Sequence, residues 1–197
     1  MNLNAAVIGW GKSGQGAAGA LLARHWRVSA FASRATDALS FDDVADVPVH
    51  VEEDAGVLVS AVVDARPDLV VVSPGIPAHH PIFTACQDAG IDLWGEVELA
   101  WRLQEEGPHA GRPWLTVTGT NGKTTTVGML GEILRASGVE AEEVGNIGTP
   151  ITRAIDSDAE VFAVELSSFQ LHTARTVHDQ FIFFRKFLHT KDGDDVL

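Results

Sequence analysis

The sequence predicts an α/β protein of parallel sheets, and three observations carry that prediction. The apolar run Trp114-Leu-Thr-Val117 reads as a buried strand that enters a glycine-rich loop and then a stretch with helical spacing. A second strand, glycine turn and helix open the chain at residues 5–24. Between these two units strands and helices alternate, the pattern that builds a parallel sheet.

Each element has its local reason. Ala5-Ala-Val-Ile8 is a short buried strand, Gly9-Trp-Gly-Lys-Ser-Gly14 turns the chain, and alanines and leucines carry a helix to about Arg24. Arg27–Phe31 reads as a strand, Val57–Ala65 as a helix, and Leu69–Val72 as a strand that stops at Ser73-Pro74-Gly75. Pro81–Ala89 is helical with Gly90 as its C-cap, Ile91–Trp94 is a strand, and Gly95-Glu-Val-Glu-Leu-Ala-Trp101 leads into another helix. Gly107-Pro-His-Ala-Gly-Arg-Pro113 is rich in breakers and reads as a linker. Beyond it, Val127, Leu130, Ile133 and Leu134 give Thr125–Ser137 a helical period, closed by Gly138. A helix near Ile151–Ile155 and a strand Val161–Val164 follow the Gly145-Asn-Ile-Gly148 loop. The expected organisation is a first domain over 1–108, a linker at 109–113, part of a second domain over 114–178 and a tail at 179–197.

With 197 residues, 45% of them hydrophobic, the chain has ample core for one large or two small domains. A net charge of −13 argues against non-specific binding to nucleic acid or anionic membrane, so local dipoles and single cations must hold any phosphate ligand. Cys86 is the one cysteine, which implies no disulfide framework and a cytoplasmic setting. Met1-Asn-Leu-Asn4 lacks the basic start of a signal peptide, and Asp64, Arg66 and Asp68 interrupt the most apolar stretch, so no membrane insertion is expected.

The strongest chemical signal is Thr118-Gly-Thr-Asn-Gly-Lys-Thr124. A strand, glycine loop and helix aim backbone N–H groups and a helix N-terminus at one anion. Lys123 supplies a point charge for the outer phosphates, and the Thr124 hydroxyl can ligate Mg²⁺. The general phosphate-loop pattern places a glycine where Thr118 stands, so this is a variant loop. Glu165 ends the apolar strand Val161–Val164, where a Mg²⁺ ligand belongs on a sheet that carries a phosphate loop. Ser167 and Ser168 offer hydroxyls on the turn that follows. Asn146, between glycines, is either a substrate contact or a turn asparagine.

Gly9-x-Gly11-x-x-Gly14 fits a dinucleotide-type diphosphate turn, but an overlapping match at Gly14, Gly16 and Gly19 makes the pattern weak alone. The glycines serve either a diphosphate or tight helix–strand packing. The next strand ends at Ala32-Ser33-Arg34 without the carboxylate that an NAD ribose requires, which favours UDP or another diphosphate. His79-His80, between prolines, read as loop residues, and Glu52-Glu-Asp54 as a solvated acidic face.

Together these residues resemble the Mur ligases of peptidoglycan synthesis. Gly119-Thr120-Asn121-Gly122-Lys123-Thr124-Thr125 is similar to that superfamily's ATP loop, which folylpolyglutamate synthases share. Ser73-Pro74-Gly75-Ile76, Gly145-Asn-Ile-Gly148 and Glu165-Leu-Ser-Ser-Phe-Gln-Leu171 resemble the D-glutamate-adding members. The resemblance implies a Rossmann-like first domain binding a UDP-sugar, with Lys12 and Ser13 in the diphosphate turn and Ser33 and Arg34 at the uracil end. It implies that the second unit is the first part of a phosphate-loop ATPase domain. There residues 119–125 bind ATP, Lys123 meets the γ-phosphate, Thr124 and Glu165 hold Mg²⁺, and Ser73–Gly75, Asn146 and Ser167 lie near substrate. The implied substrates are UDP-N-acetylmuramoyl-L-alanine and D-glutamate, joined through an acyl phosphate, and the family's members are mostly monomers.

The family continues after the Leu171 region with an Asn-x-x-x-Asp-His-Leu stretch and a modified lysine that this sequence lacks. Lys186 and Lys191 sit in other contexts and do not replace it. The chain is therefore expected to be a fragment that is inactive alone. Phe181-Ile-Phe-Phe-Arg-Lys-Phe187 holds four of nine phenylalanines, and reads either as an aromatic core strand or as a tail foreign to the fold. A non-catalytic UDP-sugar- or nucleotide-binding fragment and, further off, an NAD-dependent oxidoreductase are the competing functions.

Overall fold

The computed structural model describes residues 3–34, 41–146, 148–176 and 181–186. The first sheet holds β1 (Asn4–Ile8), β2 (Arg27–Ala32), β3 (Val49–Val51), β4 (Leu69–Val72) and β5 (Asp92–Gly95), in the order β3-β2-β1-β4-β5. All its pairings are parallel. This is the Rossmann-like arrangement, with its order reversing between β1 and β4. α1 (Lys12–Leu22), α2 (Ala55–Asp64), α3 (Ile82–Ala89) and α4 (Glu96–Glu105) connect or follow the strands. Leu69-Val-Val-Val72 is buried throughout because both faces of a parallel sheet are covered. β3 is exposed at all three positions, as an edge strand can be.

The second sheet holds β6 (Trp114–Gly119), β7 (Ala141–Gly145), β8 (Val161–Glu165) and β9 (Phe181–Lys186), ordered β7-β8-β6-β9 and again parallel. α5 (Lys123–Ala136), α6 (Ile151–Ala154) and α7 (Ser168–His172) complete the unit. β9 extends the sheet beside β6, with Trp114 opposite Phe181 and Gly119 opposite Lys186. The backbone of the phenylalanine-rich stretch is thus a strand as far as Lys186. Phe187 and Lys191 lie outside the described residues.

The two units share one core. Val7, Leu21, Val71 and Leu99 of the first belong to the same buried cluster as Trp114, Ile151, Ile155 and Phe162 of the second. The breaker-rich segment between them is not a loose tether. Arg112 is 5% exposed, donates to the Ala154 and Ser157 carbonyls, and lies 4.5 Å over the Phe162 ring. α1 explains its surplus glycines: a Cβ on Gly16 would touch Pro150 and Thr152, and one on Gly19 would collide with Arg153. Those two glycines therefore let the second unit approach. Asp54, expected to be merely solvated, caps α2 by accepting from the Gly56 and Val57 amides. His80 Nδ1 accepts from the Ile82 amide at the start of α3.

Candidate active site

β1, β2 and β4 end side by side, and so do β6 and β8. The first cluster is built around Gly9, whose φ of +91° suits glycine, and whose amide donates to the Phe31 carbonyl. Ser73 Oγ donates to the Gly9 carbonyl at 2.8 Å, joining the β1 and β4 ends. A Cβ on Gly14 would lie 1.9 Å from that same carbonyl oxygen, so Gly9 and Gly14 are packing glycines. Gly11 differs: nothing lies within 4 Å of its would-be Cβ, and it stands as N-cap of α1. Open space therefore faces the helix N-terminus. Ser33 and Arg34 are exposed just past β2, and Ser73, Pro74 and Gly75 follow β4 on the same edge. Ser13 is half-buried in the first turn of α1, and the Lys12 ammonium donates to the Gly148 carbonyl of the second unit.

In the second cluster the register sets Val117 opposite Glu165, so the glutamate ends β8 level with the start of the loop. Gly119 at φ +147° and Gly122 at φ +74° let the loop fold over the N-terminus of α5. Thr120, Asn121, Gly122, Thr124 and Thr125 are exposed there, and Lys123 Nζ folds back to donate to the Gly119 carbonyl at 2.9 Å. Thr124 Oγ1 donates to Glu165 Oε2 at 2.9 Å across 41 positions of sequence. Asn146 Nδ2 donates to Glu165 Oε1 at 3.3 Å, and the Asn146 amide to the Glu165 carbonyl at 2.9 Å. Glu165 is 3% exposed, so these partners orient it closely. Gly145, at φ +120°, makes this possible, since a Cβ there would lie 2.2 Å from the Glu165 carbonyl oxygen. The structure thus brings Lys123, Thr124, Asn146 and Glu165 to one place.

The Ser167 hydroxyl is engaged otherwise. It caps α7, accepting from the Gln170 amide, while Gln170 Oε1 accepts from the Ser167 amide and hydroxyl. Two residues of structural weight escape the sequence reading, Glu96 and Glu98 in the first turn of α4. Glu96 Oε1 accepts from the Thr152 amide and hydroxyl of α6 at 3.0 and 3.1 Å. Burial pushes its carboxyl pKa up against those bonds. Glu98 accepts from the Arg175 and Thr176 amides, the Thr176 hydroxyl and Arg102. Burial alone would raise that carboxyl, but the hydrogen bonds outweigh it and hold the pKa below the ordinary value. Their spacing carries no face signal, because residues two apart point to opposite sides of a helix; both are buried because α4 is covered on all sides.

Residues 3–95 match the family described as Mur ligase MurD-like, N-terminal domain, and residues 117–183 match the Mur ligase middle domain. The chain is 45% identical over 184 residues to the UDP-N-acetylmuramoylalanine--D-glutamate ligase of Frankia casuarinae, covering 87% of this chain and 35% of that protein. It is 55% identical over 114 residues to the enzyme of the same name from Mycolicibacterium vanbaalenii, covering 57% of this chain and 24% of the other. The chain thus spans about a quarter to a third of the length of these relatives. Among solved structures, UDP-N-acetylmuramate:L-alanyl-gamma-D-glutamyl-meso-diaminopimelate ligase from Neisseria meningitides superposes with a TM-score of 0.55 at 19% identity, over 99% of this chain and 64% of that one. That likeness is one of fold.

Proposed function

The chain belongs to the Mur ligase family, and from that premise we propose that it supplies the UDP-sugar and ATP sites of a ligase joining D-glutamate to UDP-N-acetylmuramoyl-L-alanine. The observation that carries this reading is the 2.9 Å contact between the Thr124 hydroxyl and the Glu165 carboxylate beside the glycine loop. Two oxygen donors converge where a phosphate-bound ion would sit, and Mg²⁺ takes oxygen ligands, commonly one or two from protein and the rest from phosphate and water. The residues present therefore fit Mg²⁺, with Thr124 and Glu165 as its protein ligands. When bound, Mg²⁺ neutralises charge on the ATP phosphates.

The chain's own groups do the rest by positioning. The amides of 119–125 and the N-terminus of α5 cradle the phosphates. Lys123, released from the Gly119 carbonyl, meets the γ-phosphate and orients it toward the substrate carboxylate. That carboxylate attacks the γ-phosphorus, ADP leaves, and the acyl phosphate formed is attacked by the amine of D-glutamate to give an amide and phosphate. Asn146 holds Glu165 with one face and meets the muramoyl-alanine end with the other. Lys12, Ser13, Ser33, Arg34 and the Ser73–Gly75 turn line the UDP-sugar path, and Ser167 contributes through the turn that it caps. The Ala32-Ser33-Arg34 end of β2 offers no carboxylate for an NAD ribose.

The setting is cytoplasmic and the chain a monomer in this reading; no helix among the described residues is long and apolar enough to cross a membrane. Calorimetric titration of the 197-residue chain tests the proposal. UDP-N-acetylmuramoyl-L-alanine should bind more tightly than NAD, and ATP more tightly with Mg²⁺ than without. Preference for NAD would restore the oxidoreductase reading.

A further inference from the structure

Glu96 belongs to the first unit by sequence and to the second by its contacts. It is 2% exposed, and its Oε1 takes both hydrogen bonds from Thr152. Its other oxygen, Oε2, is buried with no hydrogen-bond partner. Gln170 is also 2% exposed, and its Nε2 is buried and unpartnered as well. These orphans lie where α4 and α7 pack together, since a Cβ on Gly95, next to Glu96, would lie 2.0 Å from Thr173 Oγ1, three residues beyond Gln170, and the Gln170 side chain is among the groups that act on the Glu96 carboxyl. One is an acceptor and the other a donor. Unmade buried pairs are costly and rare, and two complementary ones side by side satisfy each other on a small closure.

The location gives the pair its consequence. Thr152 follows the loop that carries Asn146, and Gln170 lies on α7, which follows Glu165. Gln170 also fixes Ser167 through the capping box. One carboxyl of the first unit is therefore bonded to α6, which follows the Asn146 loop, and lies where α4 packs on α7, which follows Glu165.

We propose that Glu96 is a positioning residue whose Oε2 accepts from Gln170 Nε2, and that this buried latch sets Glu165 for the metal–phosphate site. The inference rests on the reading of Glu165 as a Mg²⁺ ligand. Its distinguishing property is polarity. Glu96→Gln keeps the Thr152 acceptor but turns an amide donor toward the Gln170 donor. Gln170→Glu keeps the Ser167 cap, since glutamate serves a capping box equally well, but sets two carboxyl groups face to face, which pair only when one takes up a proton, so its loss should shrink as pH falls. The double variant E96Q/Q170E restores a donor–acceptor pair in reverse.

The test uses the purified 197-residue chain at pH 8, with hydrogen exchange of residues 165–172 and binding of Mg·ATP as readouts. Each single variant should speed exchange at 167–171 and weaken Mg·ATP about tenfold, the effect of one unmade buried hydrogen bond. The double variant should recover most of both losses. Unchanged exchange in E96Q, or a double variant no better than the worse single, overturns the latch. Faster exchange with unchanged Mg·ATP affinity overturns the positioning role. If exchange behaves as expected but the wild-type chain binds no Mg·ATP, the latch stands and the metal reading of Glu165 falls. Should E96Q fail to fold, Q170E and the double variant make the same comparison.

Discussion

Gly11 and Gly14 belong to one sequence pattern, yet alanine should affect them in opposite ways. At Gly14 the new Cβ would lie 1.9 Å from the Gly9 carbonyl oxygen, 3.1 Å from its carbon and 2.9 Å from Ser73 Oγ. Ordinary contact begins near 3.4 Å, so the carbonyl would have to retreat by about 1.5 Å. That carbonyl also accepts the Ser73 hydroxyl at 2.8 Å, a bond the retreat would break. Overpacking against backbone and one lost hydrogen bond together cost about 3–4 kcal/mol. At Gly11 nothing lies within 4 Å, and φ −83°, ψ −174° suits alanine. Replacing an N-cap glycine there should change stability by less than about 1 kcal/mol. The methyl would nonetheless fill the space before the α1 N-terminus and weaken UDP-N-acetylmuramoyl-L-alanine by at least about tenfold. Urea denaturation followed by circular dichroism measures the first effect and calorimetric titration the second. Equal destabilisation by G11A and G14A, or unchanged UDP-sugar affinity in a folded G11A, refutes the division of roles.

Gly145→Ala should misplace the Glu165 backbone, since φ is +120° and the Cβ would lie 2.2 Å from its carbonyl; a loss of more than about 2 kcal/mol is expected, read by urea denaturation. Arg112→Ala removes the stacking on Phe162 and the donors to Ala154 and Ser157, and should cost about 2–4 kcal/mol by the same measurement. Glu98 is held below its ordinary pKa, so its stabilisation is present above the unfolded carboxyl value and is lost as pH falls through the folded one. Thermal unfolding across pH 2–7, a range set by the ordinary carboxyl pKa of about 4.3, should therefore show wild type losing stability on the acid side more steeply than E98Q. Lys123→Ala should lower ATP affinity while leaving UDP-sugar binding unchanged in parallel titrations.

What the sequence made legible follows from burial. β1, β4, β6 and β8 lie in sheet interiors and are mostly apolar, and each was visible. β3 and β7 were not, and both are edge strands. Val49-His-Val51 is exposed throughout, while Ala141-Glu-Glu-Val-Gly145 carries acids that meet Ser157 and Arg135 instead of water alone. An edge strand needs no two-sided apolar run, so its signal is weak. The glycine loop before α5 and the strand-end position of Glu165 were legible because glycine spacing and strand ends are local properties. The seam between the units was not. Glu96 and Thr152 are 56 positions apart, and Glu98 and Thr176 are 78 apart; only the tertiary fold joins them. The overlapping glycine match at Gly16 and Gly19 looked like redundancy and instead marks where Pro150 and Arg153 pack.

In the proposed function Lys123, Thr124 and Glu165 form one nucleotide–Mg²⁺ centre. Calorimetric titration of ATP into wild type, K123A and E165Q, each with and without Mg²⁺, tests it most directly. Wild type should gain affinity with Mg²⁺, K123A should lose affinity under both conditions, and E165Q should lose only the Mg²⁺-dependent gain. A Mg²⁺-dependent gain in E165Q equal to that of wild type would contradict the account.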